Sequence, residues 1–300
     1  MKKSNNELVF TSKTPKVYKN RELNNASFGN FTLYDYQVFL HLLSKVGGVD
    51  EYGKYLQPEE VAREYTLTAK EFSEIFNTDL SNSYKLLCSA CEKLQQSTVL
   101  LNQGALPEIW KINVCSMAKY NEGEGYINVK FTDDIMPYIT QVKQVTHGFV
   151  LYNLKEITSF GSIYATRLYE LLQEYKQTGW FQRSIEQLRN TFAIEGKLKD
   201  YKDFKKTTFA HACSEINNHY PEMHLKFEEI KEGRKISAVK FSFRKTEVQQ
   251  VIDPKTGKVS NIYTKPQVAT KSKKKSVKGA LPLFELLQNL PMLSETLDKK

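Results

Sequence analysis

One order of elements occurs twice in this chain, and that repetition limits the fold more than any other feature. Thr68 and Glu71 stand at capping-box spacing and open a short apolar segment with Phe72, Ile75 and Phe76. Asn77 to Leu80 reads as a tight turn. Ser81 is then expected to cap a longer helix, with Tyr84, Leu87, Cys88, Cys91 and Leu94 at helical spacing. The period next changes from helical to alternating. "STVLL" and "WKINVCSMAKY" read as strands, "NEGEG" as a turn and "YINVKF" as a returning strand. Ser184 stands 116 residues after Thr68 and repeats the capping-box spacing with Gln187. A longer amphipathic stretch, Tyr201 to Asn217, follows. Two alternating strands then flank a turn at Lys231 to Lys235. Each copy also has a helix in front of it. In the first this is "FTLYDYQVFLHLLSKV", with Thr32 and Asp35 as its box and Gly47-Gly48 as its stop. In the second it is Ser162 to Lys176. A short helix, a tight turn, a longer helix and a hairpin make a winged helix. The expected fold is α+β, with two tandem winged-helix domains and a basic, flexible C-terminal tail.

The 300 residues suit two such domains. The 17 Phe, 17 Tyr and 2 Trp supply cores and argue against general disorder. The expected divisions are an N-terminal arm at 1–27, a first domain at 28–146 and a second at 147–248. A linker and tail at 249–300 complete the chain. The net charge of +9 is unevenly placed, with −1 over residues 1–150, +4 over 151–250 and +6 over 251–300. The basic excess in the second half points to a polyanionic partner there.

Several function classes lack an anchor. No run of eighteen apolar residues exists, and the N-terminus has no apolar segment behind its lysines, so a cytoplasmic protein without membrane contact is expected. Cys88 and Cys91 form C-x-x-C, but no second pair or close histidine pair joins them. They read as small buried hydrophobes rather than metal ligands. The sequence has no Gly-rich phosphate loop, no H-x-H and no G-x-S-x-G. The expectation is a binding protein with no catalytic residues, no metal and no cofactor.

Placing Tyr201 to Asn217 on a wheel at about 100° per residue separates two faces. Phe209, Ala212, Cys213 and Ile216 face inward. Thr207, His211, Ser214 and Asn218 face outward, with Lys205 and Lys206 near the N-terminal end. Short hydrogen-bonding side chains are poor choices for a merely solvated helix face and suit one that approaches base edges. Lys231, Arg234 and Lys235 put a second basic element at the hairpin turn, where a wing reaches a backbone.

With those residues in place, the chain resembles the iteron-binding theta-type plasmid replication initiators. The likeness is carried by Arg167 to Leu172, "RLYELL", by Leu188-Arg189, and by Asp203 to Lys206, "DFKK". Ala212, Glu215-Ile216-Asn217, Gly233-Arg234 and Phe241-Ser242-Phe243 add to it. The resemblance implies that the second domain's long helix reads a repeated origin sequence, with Lys199, Lys202, Lys205 and Lys206 at its basic end. Arg167 and Glu215 to Asn217 are expected to hold helices together. The first domain is implied to contact phosphates through Asn82, Ser83 and Lys85, and to mediate dimerisation. Implied partners are double-stranded DNA (origin iterons and an operator inverted repeat), a second copy of the chain, and a host initiator and replicative helicase. Near the end, "ALPLF" resembles the short peptide by which bacterial replication proteins dock on the sliding clamp, with Leu281, Leu283 and Phe284 as anchors. The alternatives are a tandem winged-helix transcriptional repressor and a DNA-nicking replication endonuclease.

Overall fold

A computed structural model describes residues 15–46, 59–102, 109–120, 123–140, 149–244, 248–252 and 259–263. Its elements run β1 Lys16–Asn20, α1 Arg21–Asn25, α2 Leu33–Lys45, β2 Glu64–Thr68, α3 Ala69–Phe76 and α4 Leu80–Gln96. Next come β3 Thr98–Asn102, β4 Ile109–Asn113, β5 Cys115–Tyr120, β6 Tyr126–Phe131, α5 Met136–Ile139 and β7 Phe149–Asn153. The second half holds α6 Ile163–Glu174, β8 Trp180–Ser184, α7 Ile185–Thr191, α8 Tyr201–Lys205, α9 His211–His219, β9 Lys226–Glu232 and β10 Lys235–Ser242. The chain therefore folds as two tandem winged helices of mixed helix and sheet.

Each short helix starts where a strand ends, and the same device makes both junctions. Thr68 ends β2, and its side chain accepts from the Glu71 N–H while the Glu71 carboxylate accepts from the Thr68 N–H. Ser184 ends β8 and forms the same reciprocal pair with Gln187. A third box, Thr32 with Asp35, opens α2. Each satisfies two backbone donors that a helix start would otherwise leave orphaned. The sheets match as well: β2-β6-β5 in the first module and β8-β10-β9 in the second, all antiparallel. The repeat read from the order of elements is thus a repeat of topology. The first module differs by an inserted β3-β4 hairpin between α4 and its wing.

Some expectations need correction. Residues 16–27 are not a free arm, because β1 pairs antiparallel with β7 and Val17, Leu23 and Ala26 are fully buried. Asp79, not Ser81, caps α4 by accepting from the Asn82 N–H. "WKINVCSMAKY" is two strands rather than one. Val114 breaks it, with its N–H turned to the Ser97 carbonyl, so β4 pairs with β3 and β5 with β6. After Lys245 the chain forms a further antiparallel hairpin, β11 Val248–Ile252 with β12 Val259–Tyr263, in a separate compact unit. The lysine-rich stretch and the "ALPLF" segment lie outside the described residues.

The two modules share one buried polar network. Glu170 on α6 is fully buried and accepts from Lys19 at 2.6 Å, Tyr36 at 2.6 Å, Tyr152 at 2.7 Å and Arg167 at 2.9 Å. Arg167 also donates to the carbonyls of Asn24 at 2.7 Å, Ala26 at 2.9 Å and Thr191 at 3.4 Å. One carboxylate and one guanidinium therefore join β1, α1, α2, β7, α6 and α7. Burial pulls the Lys19 ammonium down to about 7 against the attraction of Glu170. Loss of the carboxylate would leave the Arg167 guanidinium buried without its counter-ion and drive Lys19 to its neutral form, a change that typically costs about 3–5 kcal/mol. Arg167 thus holds helices together, as expected. Glu215 accepts from the Gly161 N–H at 2.5 Å and ties α9 to the segment before α6, and Asn217 exchanges two hydrogen bonds with the Leu225 backbone and ties α9 to the start of β9.

Candidate nucleic-acid interface

The long helix of the second module begins from a constrained loop. Ala193 (φ +52°), Gly196 (φ +77°) and Leu198 (φ +47°) are all left-handed, a conformation that costs non-glycine residues energy. Arg189 on α7 holds this loop in place. Its guanidinium donates to the carbonyls of Lys197 and Leu198, both at 2.9 Å, and to that of Lys199 at 3.4 Å. It also lies 4.5 Å from the Phe204 ring centroid. Asp200 then caps the helix by accepting from the N–H groups of Lys202 and Asp203. Arg189 was legible only as a residue shared with the resembling family; its clamp on three carbonyls had no local signal.

The helix runs from Tyr201 to His219 but is not uniform, since Lys206–Ala210 is a π-helical turn between α8 and α9. Its cause lies in the apolar spacing. At about 100° per residue, Phe204 would stand about 140° from Phe209 and point toward solvent. The wider turn brings both rings inward, fully buried, with centroids 5.5 Å apart. The buried Thr208 hydroxyl donates to the Phe204 carbonyl at 2.7 Å. Ala212, Cys213 and Ile216 are buried on the same side, as the wheel indicated.

The exposed side of this helix carries Lys202, Asp203, Lys206, Thr207, His211, Ser214 and Asn218. Thr207, His211 and Ser214 therefore share one surface. Lys199 is exposed in the loop before it. Lys205 departs from expectation. Its ammonium pairs with Glu229 on β9 at 2.7 Å and lies 5.4 Å from the Phe227 ring centroid. Tyr201 donates to the same Glu229 oxygen at 2.8 Å. The hydrogen bonds from Lys205 and Tyr201 hold the Glu229 carboxyl below its usual range. Lys205 thus ties the helix to the wing, while Lys206 has no ion-pair partner among the described residues.

The wing itself is β9 and β10 joined by Gly233-Arg234, with Gly233 at φ +63° as a two-residue hairpin turn of primed type requires. Lys231, Arg234 and Lys235 are exposed at its tip, and none forms an ion pair among the described residues. Helix face and wing tip together present unpaired cations beside short polar side chains, an arrangement that can take phosphates and base edges.

The corresponding helix of the first module is different. Asn82 and Lys85 are exposed on α4, but Ser83 is fully buried. Its hydroxyl sits 2.5 Å from that of Thr78 and donates to the Asp79 carbonyl at 2.8 Å. Ser83 stabilises the turn and is removed from the candidate contacts. Cys91 on α4 and Cys115 on β5 are buried, and burial pushes both thiols up, to about 11 and about 12. Among the described residues, no group of three or more His, Cys, Asp or Glu converges as a metal site. Nor is any helix there long and apolar enough to cross a membrane.

Comparison with known proteins matches this arrangement. The family described as initiator replication protein, WH1, covers residues 16–173, and initiator Rep protein, WH2, covers residues 184–243. The Escherichia coli PI protein is 31% identical over 151 residues, 46% of this chain and 50% of that protein. An Escherichia coli replication initiation protein is 26% identical over 151 residues, 50% of this chain and 46% of that protein. The chain's matches thus span about half the length of these relatives. A crystal structure of Pi initiator protein in complex with iteron DNA covers 77% of this chain and 97% of its own, with a TM-score of 0.61 and 24% identity. That likeness concerns the fold. The WH1 match places β1, β7 and α6 together in the first domain, where the Glu170 network also joins them. The WH1 match alone takes in more than half of the sequence, and the chain belongs to the initiator replication protein family.

Proposed function

We propose that the chain initiates plasmid replication by binding directly repeated duplex DNA, the iterons of an origin, without catalysing a reaction itself. The observation that carries this reading is the exposed helix face of the second module, with unpaired Lys206 beside Thr207, His211 and Ser214, and a basic wing next to it. The same fold occurs in Pi initiator protein in complex with iteron DNA. In this reading the second module selects sequence. The first adds phosphate contacts through Asn82 and Lys85 and provides the surface for a dimer. Monomers on the iterons promote opening and recruit a host initiator and the replicative helicase. Dimers on an operator inverted repeat repress the chain's own gene. The protein acts in the bacterial cytoplasm and is plasmid-encoded.

The deciding experiment uses the full chain with the direct repeats of its own plasmid. Sequence-specific binding, and loss of plasmid maintenance when the repeats are scrambled, are expected. Specific binding only at a promoter, with maintenance unaffected, would favour a repressor. Metal-dependent nicking of supercoiled DNA would favour an endonuclease. The "ALPLF" segment is proposed to dock on the sliding clamp through Leu281, Leu283 and Phe284. Equal retention of the native chain and of the Leu283→Ala/Phe284→Ala variant on purified clamp would refute that part.

A further inference from the structure

The reading helix contains one group that a simple DNA-binding surface should not have. Asp203 is exposed, and its side chain makes no hydrogen bond or ion pair among the described residues. Lys202 and Lys206 flank it without pairing to it. The capping role that usually explains an aspartate at a helix start belongs to Asp200. A favourable interaction with the helix dipole remains, but it is small and would be served equally well on a face turned away from DNA. Asp203 lies instead on the reading stripe, four residues before Thr207, which precedes His211 by four, Ser214 by seven and Asn218 by eleven. It is also the third residue of that helix, in the N-terminal part that docks on base edges in helix-turn-helix proteins. An unpaired carboxylate there is repelled by phosphates and weakens binding to every duplex alike, unless a base supplies a donor.

A carboxylate can only accept. In the major groove the donors are the exocyclic amino groups of cytosine and adenine, whereas guanine O6 and N7 and thymine O4 are acceptors. We infer that Asp203 is a specificity-determining base contact, accepting a hydrogen bond from the N4 amino group of a cytosine in the iteron. Where a duplex offers only acceptors at that point, two sets of lone pairs face each other and binding is rejected. The lysines on either side supply attraction common to all DNA, and Asp203 makes that attraction conditional on sequence. This inference rests on the reading of the second module as the sequence-selecting one.

The test is selection of binding sites from a randomised duplex library by the full chain and by its Asp203→Ala and Asp203→Asn variants. Affinities for the selected site and for an unrelated duplex are then measured at several salt concentrations. The native chain is expected to select cytosine at one position. Asp203→Ala should keep the remaining consensus, lose the preference at that position, bind unrelated DNA more tightly and show a specificity ratio lower by about tenfold. Asp203→Asn, close in shape, should shift the preference at that position toward adenine. The inference fails if both variants keep the whole consensus and Asp203→Ala gains affinity for all duplexes by one common factor, since Asp203 would then act by repulsion alone. If the native chain itself selects no sequence, the reading of the module fails, and that outcome is distinct from the first.

Discussion

The two modules share strand order, capping boxes and helix order, yet their described surfaces differ. In the first, Lys93 pairs with Asp35 at 2.6 Å, Lys45 with Glu71 at 2.6 Å and Arg63 with Asp133 at 2.9 Å, while Lys70, Lys85, Lys111, Lys119 and Lys130 are exposed without an ion pair among the described residues. Its long helix, α4, keeps regular α geometry and exposes Ser81, Asn82, Lys85, Ser89, Gln95 and Gln96. The second commits Arg189 and Lys205 to positioning and leaves Lys206 and the wing tip unpaired. Its long helix also contains the π turn. One scaffold therefore carries two different surfaces. What separates them is the side chains each long helix exposes and the π turn in the second, not the topology.

The comparison can be broken first at the joint. Glu170→Gln should destabilise the chain by about 3–5 kcal/mol, because Arg167 loses its buried counter-ion and Lys19 is driven to its neutral form. Urea unfolding would measure it. A loss below about 1 kcal/mol would mean that β1, α2, β7 and α6 are not held together by this network.

Acid should distinguish the first module. His41 is buried on α2 among Phe72, Phe76, Lys45 and Glu71, and burial lowers its pKa from 6.5 to about 4. Between those values the unfolded chain takes up a proton that the folded chain excludes. Stability therefore falls as pH drops from 6.5 toward 4, by up to about 3 kcal/mol. His41→Phe should flatten that part of the pH profile, and an unchanged slope would assign the acid sensitivity to other groups.

Smaller effects sharpen the contrast at the surface. Lys206→Ala should weaken iteron binding and reduce the slope of log affinity against log salt by about one. Lys205→Ala should lower thermal stability, through loss of the Glu229 tie, with a smaller change in the salt slope. If Lys205 and Lys206 behave alike, the division between positioning and contact is wrong.

Much of this was legible locally. Capping boxes, apolar spacing and the change from helical to alternating period are short-range signals, and they marked the modules and the faces of the long helix. The β1-β7 pair was not, because it joins strands far apart in sequence and each alone is too short to show a period. The π turn escaped because a wheel assumes one angle throughout. The clue was Phe204 and Phe209, two large apolar residues five apart. Lysines could be recognised as cations, but which of them is neutralised depends on Glu229 from a strand not yet formed when Lys205 is read. Ser83 was misplaced for a similar reason: its partners, Thr78 and Asp79, lie in a turn whose shape is set by Asn77 at φ +51°.

The central claim is that the second module selects sequence and the first adds affinity without selecting. Site selection by the full chain carrying Thr207→Ala or Asn82→Ala tests it most directly. Thr207→Ala should change the selected bases at one or two positions, and Asn82→Ala should lower affinity for all sites while leaving the consensus unchanged. A consensus altered by Asn82→Ala and untouched by Thr207→Ala would contradict the account.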